Sequence, residues 1–471
     1  MSKNKIFIKA STYKGLHGFH KYWGKKPFEI NDLLISKLTS KNDIVLDPFL
    51  GGGLITRTAV INQRKFIGID INPISCELAN LFLKLPSSKT FEKEFDNLKN
   101  KIKQKINKSY LYEKKISTHF LWFNNELKEV WSKNKKIEKI KLNKRVYLKD
   151  INFYSYNSKN IRDLKLFNNS RINVKNSMNL RDFFTGRALR NIDLILNEIK
   201  KIKDPILKRS LLLCLTSASG QMSKMVFSIS KRSNKKIEKE VGSWAIGLWR
   251  PKEHFEINVW NCFENRTRKF IKTLKELGKE KNFRITDKLK SFYKDDFNAC
   301  IKVGSNLDIL KSIPNNSISL IITDPPHGDR IPYLELSEIW NSILKFGVPN
   351  FNKEIVVSNA SDRNKDLTKY NYDMKEFFKL SMKILKKNGI LILFFNALKK
   401  ESWDSIRKIN KMKFEGYFPM NYSANSIVQD NRKGAMKSDY VLFFSKDKNT
   451  KLKQLERIAG FKKQLPKFLN D

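Results

Sequence analysis

The strongest constraint on the fold is a pair of short apolar runs, each leading into an acid. Ile44-Val45-Leu46 runs into Asp47-Pro48-Phe49-Leu50-Gly51-Gly52-Gly53, and a helical stretch starts near Leu54. About fifteen residues later a second run, Lys65-Phe66-Ile67-Gly68-Ile69, ends in Asp70. A strand, a glycine-rich turn, a helix and an acid-ending strand make a βαβ unit, with a ligand site beyond the carboxyl ends of its parallel strands. Glycines let the backbone approach a ligand, and the acid accepts hydrogen bonds from ribose hydroxyls. Glycine turns after strands are common, so this pattern narrows the fold more than the function.

A second motif carries the chemistry. Ile318-Ser319-Leu320-Ile321-Ile322 continues directly into Thr323-Asp324-Pro325-Pro326-His327-Gly328-Asp329. A carboxylate and two prolines at the end of a buried strand are hard to explain as packing. Proline has no N–H and fixes its φ, so the chain leaves the sheet in a preset loop. That loop offers a carboxylate, carbonyl oxygens and the flat ring of His327. The set matches the exocyclic amino group of a nucleobase, which donates two hydrogens and has a face to stack on.

In this order the two motifs resemble those of the DNA amino-methyltransferases, the N6-adenine and N4-cytosine enzymes that use S-adenosylmethionine. The family's motifs read Asp-Pro-Phe-x-Gly-x-Gly and Asp-Pro-Pro-Tyr. His20-Lys21-Tyr22-Trp23-Gly24-Lys25-Lys26-Pro27 resembles the segment ahead of the cofactor motif, and Gly304-Ser305-Asn306-Leu307-Asp308 resembles the acidic turn beside the cofactor's adenine. Residues 333–340 and 423–440 also fit, so the resemblance covers about residues 15–90 and 295–446. It implies S-adenosylmethionine as cofactor, with Asp47, Pro48, Phe49, Gly51 and Gly53 at its methionine end and Asp70 on its ribose. It further implies that Asp308 bonds the adenine amine and that Tyr22 and Lys26 close over the methionine carboxylate. Asp324, Pro325, Pro326 and His327 form the catalytic set. Arg330, Tyr333, Arg432 and Lys433 are expected to meet double-stranded DNA.

An aromatic exocyclic amine is a poor nucleophile because its lone pair is delocalised into the ring. Asp324 and the Pro325 carbonyl accept its two hydrogens, draw the nitrogen toward tetrahedral geometry and free the lone pair. Orientation and preorganised charge carry such a reaction, and no metal is implied. A paired base must flip out of the duplex to reach the loop. His327 departs from the family's usual tyrosine or phenylalanine. Imidazole offers a smaller stacking face, its neutral form suits a site of developing positive charge, and Tyr333 or Trp340 is expected to share the stacking. Glu335 and Glu338, one helical turn apart, are expected to pair with basic neighbours, and Asp439 to cap structure. An acid rather than a serine at position 324 favours adenine. The alternatives are N4-cytosine methylation, RNA guanine-N2 methylation, and, in a different class, a non-catalytic nucleic-acid-binding subunit.

Lys and Arg outnumber Asp and Glu by 93 to 47, a net charge of +46. Such an excess points to a polyanionic partner, since each neutralised phosphate releases counterions. Coding bias toward Lys explains Lys in place of Arg, but not the shortage of acids. Cys76, Cys214, Cys262 and Cys300 are too scattered for a metal site and read as reduced thiols of a cytoplasmic protein. No apolar stretch has the length of a membrane span.

The expected fold is α/β: a doubly wound, seven-stranded, mostly parallel, Rossmann-like methyltransferase sheet with one antiparallel strand near an edge. Residues 1–90 and 296–446 form its two parts. Residues 91–295 form a large inserted, mainly helical target-recognition domain, and 447–471 a basic tail. Within the insert the pattern predicts a Lys-rich helix from about 91 to 115, a hairpin over 145–157, and helices near 186–203, 205–220 and 258–277, with Ile192, Leu194, Leu196 and Ile199 on an interior stripe. Ser223-Lys224-Met225, Arg232 and Lys236 are candidates for phosphate contacts. Trp244, Trp249 and Trp260 are core or stacking rings. A restriction-modification role follows from the resemblance.

Overall fold

The computed structural model describes residues 15–133, 137–140, 156–175, 178–233, 236–244, 247–278, 282–328, 331–397, 400–407, 409, 412–421, 438–447, 450–458 and 460–464. The chain divides into two compact units. One comprises Met1–Lys84, Lys281–Leu334 and Val348–Asp471; the other comprises Leu85–Glu280 and Glu335–Gly347.

The first unit is built on eight strands: β1 (Ile44–Asp47), β2 (Lys65–Asp70), β3 (Ile285–Thr286), β4 (Ala299–Val303), β5 (Ile318–Thr323), β6 (Leu385–Phe395), β7 (Lys413–Asn421) and β8 (Ser438–Ser445). Their order is β3-β4-β2-β1-β5-β6-β8-β7. All neighbours run parallel except β8, which is antiparallel to both β6 and β7. Among the described residues the count is therefore eight rather than seven. The extra strand, β3, is two residues long at the sheet edge, too short to leave an alternating pattern.

Alternate strand residues point to opposite faces, and here both faces are apolar. Val45, Phe66, Leu320 and Ile392 share one cluster with Leu34, Ile55 and Ala79 from helices α1 (Phe28–Leu38), α2 (Leu54–Ile61) and α3 (Pro73–Leu83). Leu46, Ile67, Ile321 and Leu393 share the other with Tyr370, Met374 and Phe377 from α4 (Leu367–Ile384). A sheet apolar on both sides needs helices on both sides. The helix starts are encoded locally: Pro73 opens α3 after Asn72, and the Asp366 carboxylate accepts from Lys369 N at 2.8 Å to cap α4. The chain order reverses between β1 and β5, the switch point at which open α/β sheets bind ligands.

The second unit corrects the expectation of a mainly helical insert. Helices Ser88–Lys108, Gly186–Lys200, Pro205–Ser219 and Val259–Leu277 accompany a five-stranded antiparallel sheet. That sheet contains Leu111–Tyr112, Lys115–Phe123, Glu126–Lys133, Ile137–Ile140 and Glu253–Ile257. A separate hairpin joins Ser228–Ser233 to Lys236–Val241. The Lys-rich helix ends at Lys108, and Lys115 opens a strand instead. Asn124 and Asn125 turn that strand with φ of 47° and 67°, the left-handed pair of a type I′ hairpin. On Gly186–Lys200 the buried stripe uses Ile195, while Leu194 is half-buried.

The buried Glu256 carboxylate of this unit is paired, as desolvation requires. Glu256 accepts from Arg187, from Thr185 at 2.9 Å and from Trp122 at 3.0 Å. Trp244 and Trp260 are core rings, and Trp249 packs against Phe227. Ser223 is buried with its hydroxyl donated to Gly220 O, and Met225 is buried beside it, so neither faces a phosphate. The hairpin expected over 145–157, apart from Tyr156 and Asn157, and the side chains of Arg232 and Lys236 lie outside the described residues. Among the described residues no helix is long and apolar enough to cross a membrane, and the four cysteines are buried and unlinked.

Candidate active site

Leu46 of β1 lies beside Ile321 of β5 in parallel register, so the two acid-bearing tips emerge at one edge of the first unit. Thr323 Oγ1 donates to Asp47 Oδ1 at 2.6 Å and ties them together. A cleft with about 890 Å³ of empty space, its open mouth included, is lined by Asp47, Gly51, Asp70, Asn306, Asp324 and Tyr333 among others.

At one end the glycine turn wraps the cleft. Gly51 and Gly53 have φ of 52° and 70°, a left-handed conformation that glycine adopts without a Cβ clash. A Cβ on Gly53 would lie 3.1 Å from Ala79 N of α3, so the turn is also pressed against that helix. Gly51 N and Asn72 N donate to the two oxygens of Asp70 at 2.7 and 2.8 Å. Phe49 N donates to Asp47 Oδ1 at 3.1 Å. Burial pushes the Asp47 carboxyl up to about 7 and that of Asp70 up to about 6, against the opposing pull of these hydrogen bonds. Among the described residues no cation pairs with either acid. The Tyr22 ring sits over Gly51, and its hydroxyl accepts from Asn72 Nδ2 at 3.3 Å and Ser75 Oγ at 3.1 Å. Pro48 O accepts from Asn306 Nδ2 at 3.3 Å, and Phe49 packs edge-on against Phe377.

Asp308 is not at this end. It is half-exposed, pairs with Lys353 at 2.5 Å and is absent from the cleft wall. The hydrogen bond from Lys353 holds its carboxyl below the usual value. Asn306, from the same turn, faces the cleft instead. Only the turn was legible in sequence, because which of its two polar side chains points inward depends on the helix Asn306–Leu310 that follows Ser305.

At the other end sits Asp324. Its Oδ1 is 2.9 Å from His327 Nε2, and its Oδ2 is 2.7 Å from Lys26 Nζ. Lys26 also reaches Asp439 Oδ2 and Gly24 O, each at 3.0 Å. Lys26, expected on the methionine carboxylate, is thus engaged with the Asp324 carboxylate, and Asp439 serves as its second counter-ion. His327 Nε2 lies 3.2 Å from Phe394 O as well. A carbonyl only accepts, so this nitrogen carries the hydrogen. The ring is buried edge-on to Phe395 and is absent from the cleft wall, which corrects the expectation that it stacks on a ligand. Tyr333 does line the cleft and stacks on Tyr22 with centroids 6.0 Å apart. Tyr370 donates to Pro326 O at 2.7 Å, whereas no described residue donates to the Pro325 carbonyl.

Trp340 is buried in the second unit, where Glu338 pairs with Arg162 at 2.5 Å and Glu335 accepts from Asn169 at 2.8 Å. Glu354 was not foreseen. It is buried at the cleft wall of the first unit, accepts from Leu334 N at 3.0 Å and pairs with Arg363 at 2.7 Å. No motif marks it. Arg330, Arg432 and Lys433, with residues 423–437, lie outside the described residues.

A family model described as DNA methylase, of the N6/N4 type, matches residues 3–81. Type II methyltransferase M.MjaII of Methanocaldococcus jannaschii is 24% identical over 217 residues, covering 43% of this chain and 39% of that protein. Orphan methyltransferase M.BamHII of Bacillus amyloliquefaciens is 44% identical over 46 residues, covering 10% of this chain and 17% of that protein. The chain therefore spans well under two thirds of the length of either relative.

Proposed function

We propose, from the premise that this chain belongs to the N6/N4 DNA amino-methyltransferase family, that it methylates the exocyclic amine of a base flipped out of double-stranded DNA, using S-adenosylmethionine. The observation that carries this reading is the single cleft walled by the Asp47–Asp70 end and by Asp324.

The residues present fit the cofactor. Gly51 brings backbone to the cleft without a side chain, and Asp70, held by two backbone N–H groups, keeps lone pairs for ribose hydroxyls. Among the described residues no cation pairs with Asp47 or Asp70, an arrangement that suits a cationic ligand, which would favour their ionised forms. Asn306 takes the adenine-side position once expected for Asp308. When bound, S-adenosylmethionine supplies an electrophilic methyl group on its sulfonium centre.

The chain's own part is to hold the acceptor. Asp324 and the Pro325 carbonyl accept the amine's two hydrogens, and Tyr333, backed by Tyr22, offers the flat face. Adenine is assigned as the base from the acid at position 324, and a restriction-modification role from the type II name of the archaeal relative.

Single-molecule sequencing of DNA from cells expressing the protein tests this. N6-methyladenine at one sequence, absent with Asp324→Ala, is expected. N4-methylcytosine there would reassign the base. Methylated tRNA with unmodified DNA would overturn the proposal.

A further inference from the structure

We infer that Lys26, His327 and Asp439 form a clamp that sets the orientation of the Asp324 carboxylate toward the acceptor amine. The inference rests on the proposed methyl transfer and names what positions its acceptor.

Lys26 comes from the segment ahead of the cofactor motif, Asp439 from β8 and His327 from the catalytic loop itself. The Lys26 side chain is only 5% exposed. A buried ammonium is tolerated when its charge is balanced and its hydrogens are used. Lysine has three donors, and among the described residues three acceptors lie against this one: Asp324 Oδ2, Asp439 Oδ2 and Gly24 O. That geometry leaves it committed to Asp324 and poorly placed to hold a second carboxylate from a ligand.

The opposite oxygen of Asp324 is held by the His327 Nε2 hydrogen, shared with Phe394 O. Donors on both oxygens fix the plane of the carboxylate. An ionised carboxylate has about four lone-pair positions, and the clamp uses one on each oxygen, leaving the others for an amine hydrogen. Gly24 completes the arrangement. Its φ is 75°, and a Cβ there would stand 3.7 Å from Asp324 Oδ2 and 3.4 Å from the Tyr333 hydroxyl, in the space the base would enter. The histidine in place of the family's usual aromatic thus has a role of its own: it donates sideways to the carboxylate, and stacking is left to Tyr333.

The test uses the purified full chain. It measures single-turnover methyl transfer to a duplex carrying the recognised site, equilibrium binding of S-adenosylmethionine and of DNA, and thermal melting. His327→Phe keeps a flat ring and removes the donor, so the transfer rate is expected to fall by about tenfold with both affinities unchanged. Lys26→Met is expected to cost about a hundredfold in the same step, the scale of a misplaced catalytic group. Asp439→Asn is expected to cost less, and combined with Lys26→Met to add little, because both act through one contact.

A His327→Phe rate at or above wild type would overturn the clamp in favour of stacking. A Lys26→Met variant that loses cofactor affinity but transfers at the normal rate would overturn it in favour of a methionine-carboxylate role. If Lys26→Met does not fold, His327→Phe and Asp439→Asn decide by the same readouts. Wild-type protein that binds the cofactor but methylates no DNA would sink the proposed function instead.

Discussion

The two ends of the cleft treat their carboxylates in opposite ways. Asp47 is buried and Asp70 half-buried, and both are held by backbone N–H groups, Asp47 also by a hydroxyl, with no paired cation among the described residues. Asp324 is bracketed by an ammonium and an imidazole N–H. Uncompensated buried acids resist ionisation and attract a positive ligand. A carboxylate with a donor on each oxygen keeps its orientation and suits a neutral donor such as an aromatic amine. Under the proposed function, this contrast suits a cationic methyl donor at one end and the acceptor base at the other.

The largest break in this contrast is expected from Asp324→Ala. It should lower methyl transfer by about a thousandfold, on the scale of losing a preorganised catalytic hydrogen-bonding group, while calorimetry still detects cofactor binding. Next is Asp70→Asn. It removes a charged acceptor, worth roughly 1.5–3 kcal/mol per hydrogen bond, and should weaken S-adenosylmethionine about ten- to a hundredfold with little effect on DNA affinity.

The pH response sharpens the comparison. Asp47 and Asp70 are raised from 3.8 to about 7 and about 6, chiefly by burial. Their contribution to the stability of the free protein is complete below 3.8 and is lost as pH rises through about 6 to about 7. These two acids should therefore make the free protein melt higher at mildly acidic than at mildly alkaline pH. Cofactor affinity, which uses the ionised forms, should change in the opposite sense across the same window. Parallel trends in melting and affinity would contradict the assignment, and Asp47→Asn should flatten the melting trend. The smallest effect belongs to Asp308→Ala. An exposed ion pair contributes about 0–1 kcal/mol, so cofactor affinity should stay near wild type, whereas Asn306→Ala should reduce it.

Much of the first unit was legible because its signals are local. Apolar runs at 44–46, 65–69 and 318–322, the glycine turn and the Pro-Pro loop each specify their own backbone within a few residues. They place Asp47, Asp70 and Asp324 at strand ends, and parallel pairing brings the tips together. In the second unit the Asn124-Asn125 turn was equally local and was overlooked beside the Lys-rich helix preceding it. The clamp was not legible. Lys26 stands in a Lys-Lys-Pro string expected at the methionine carboxylate, and nothing near it indicates Asp324 or Asp439, hundreds of residues away.

By itself the sequence determined the strand-turn-helix order and the acid at each strand tip, since backbone stereochemistry and apolar runs act at short range. Only the tertiary structure decided that Lys26 belongs to Asp324, that His327 turns into the sheet and that Asn306 displaces Asp308 at the cleft. Those choices follow from desolvation: once the sheet closes, each buried charge or N–H must find a partner, and the nearest partner in space is set by the fold.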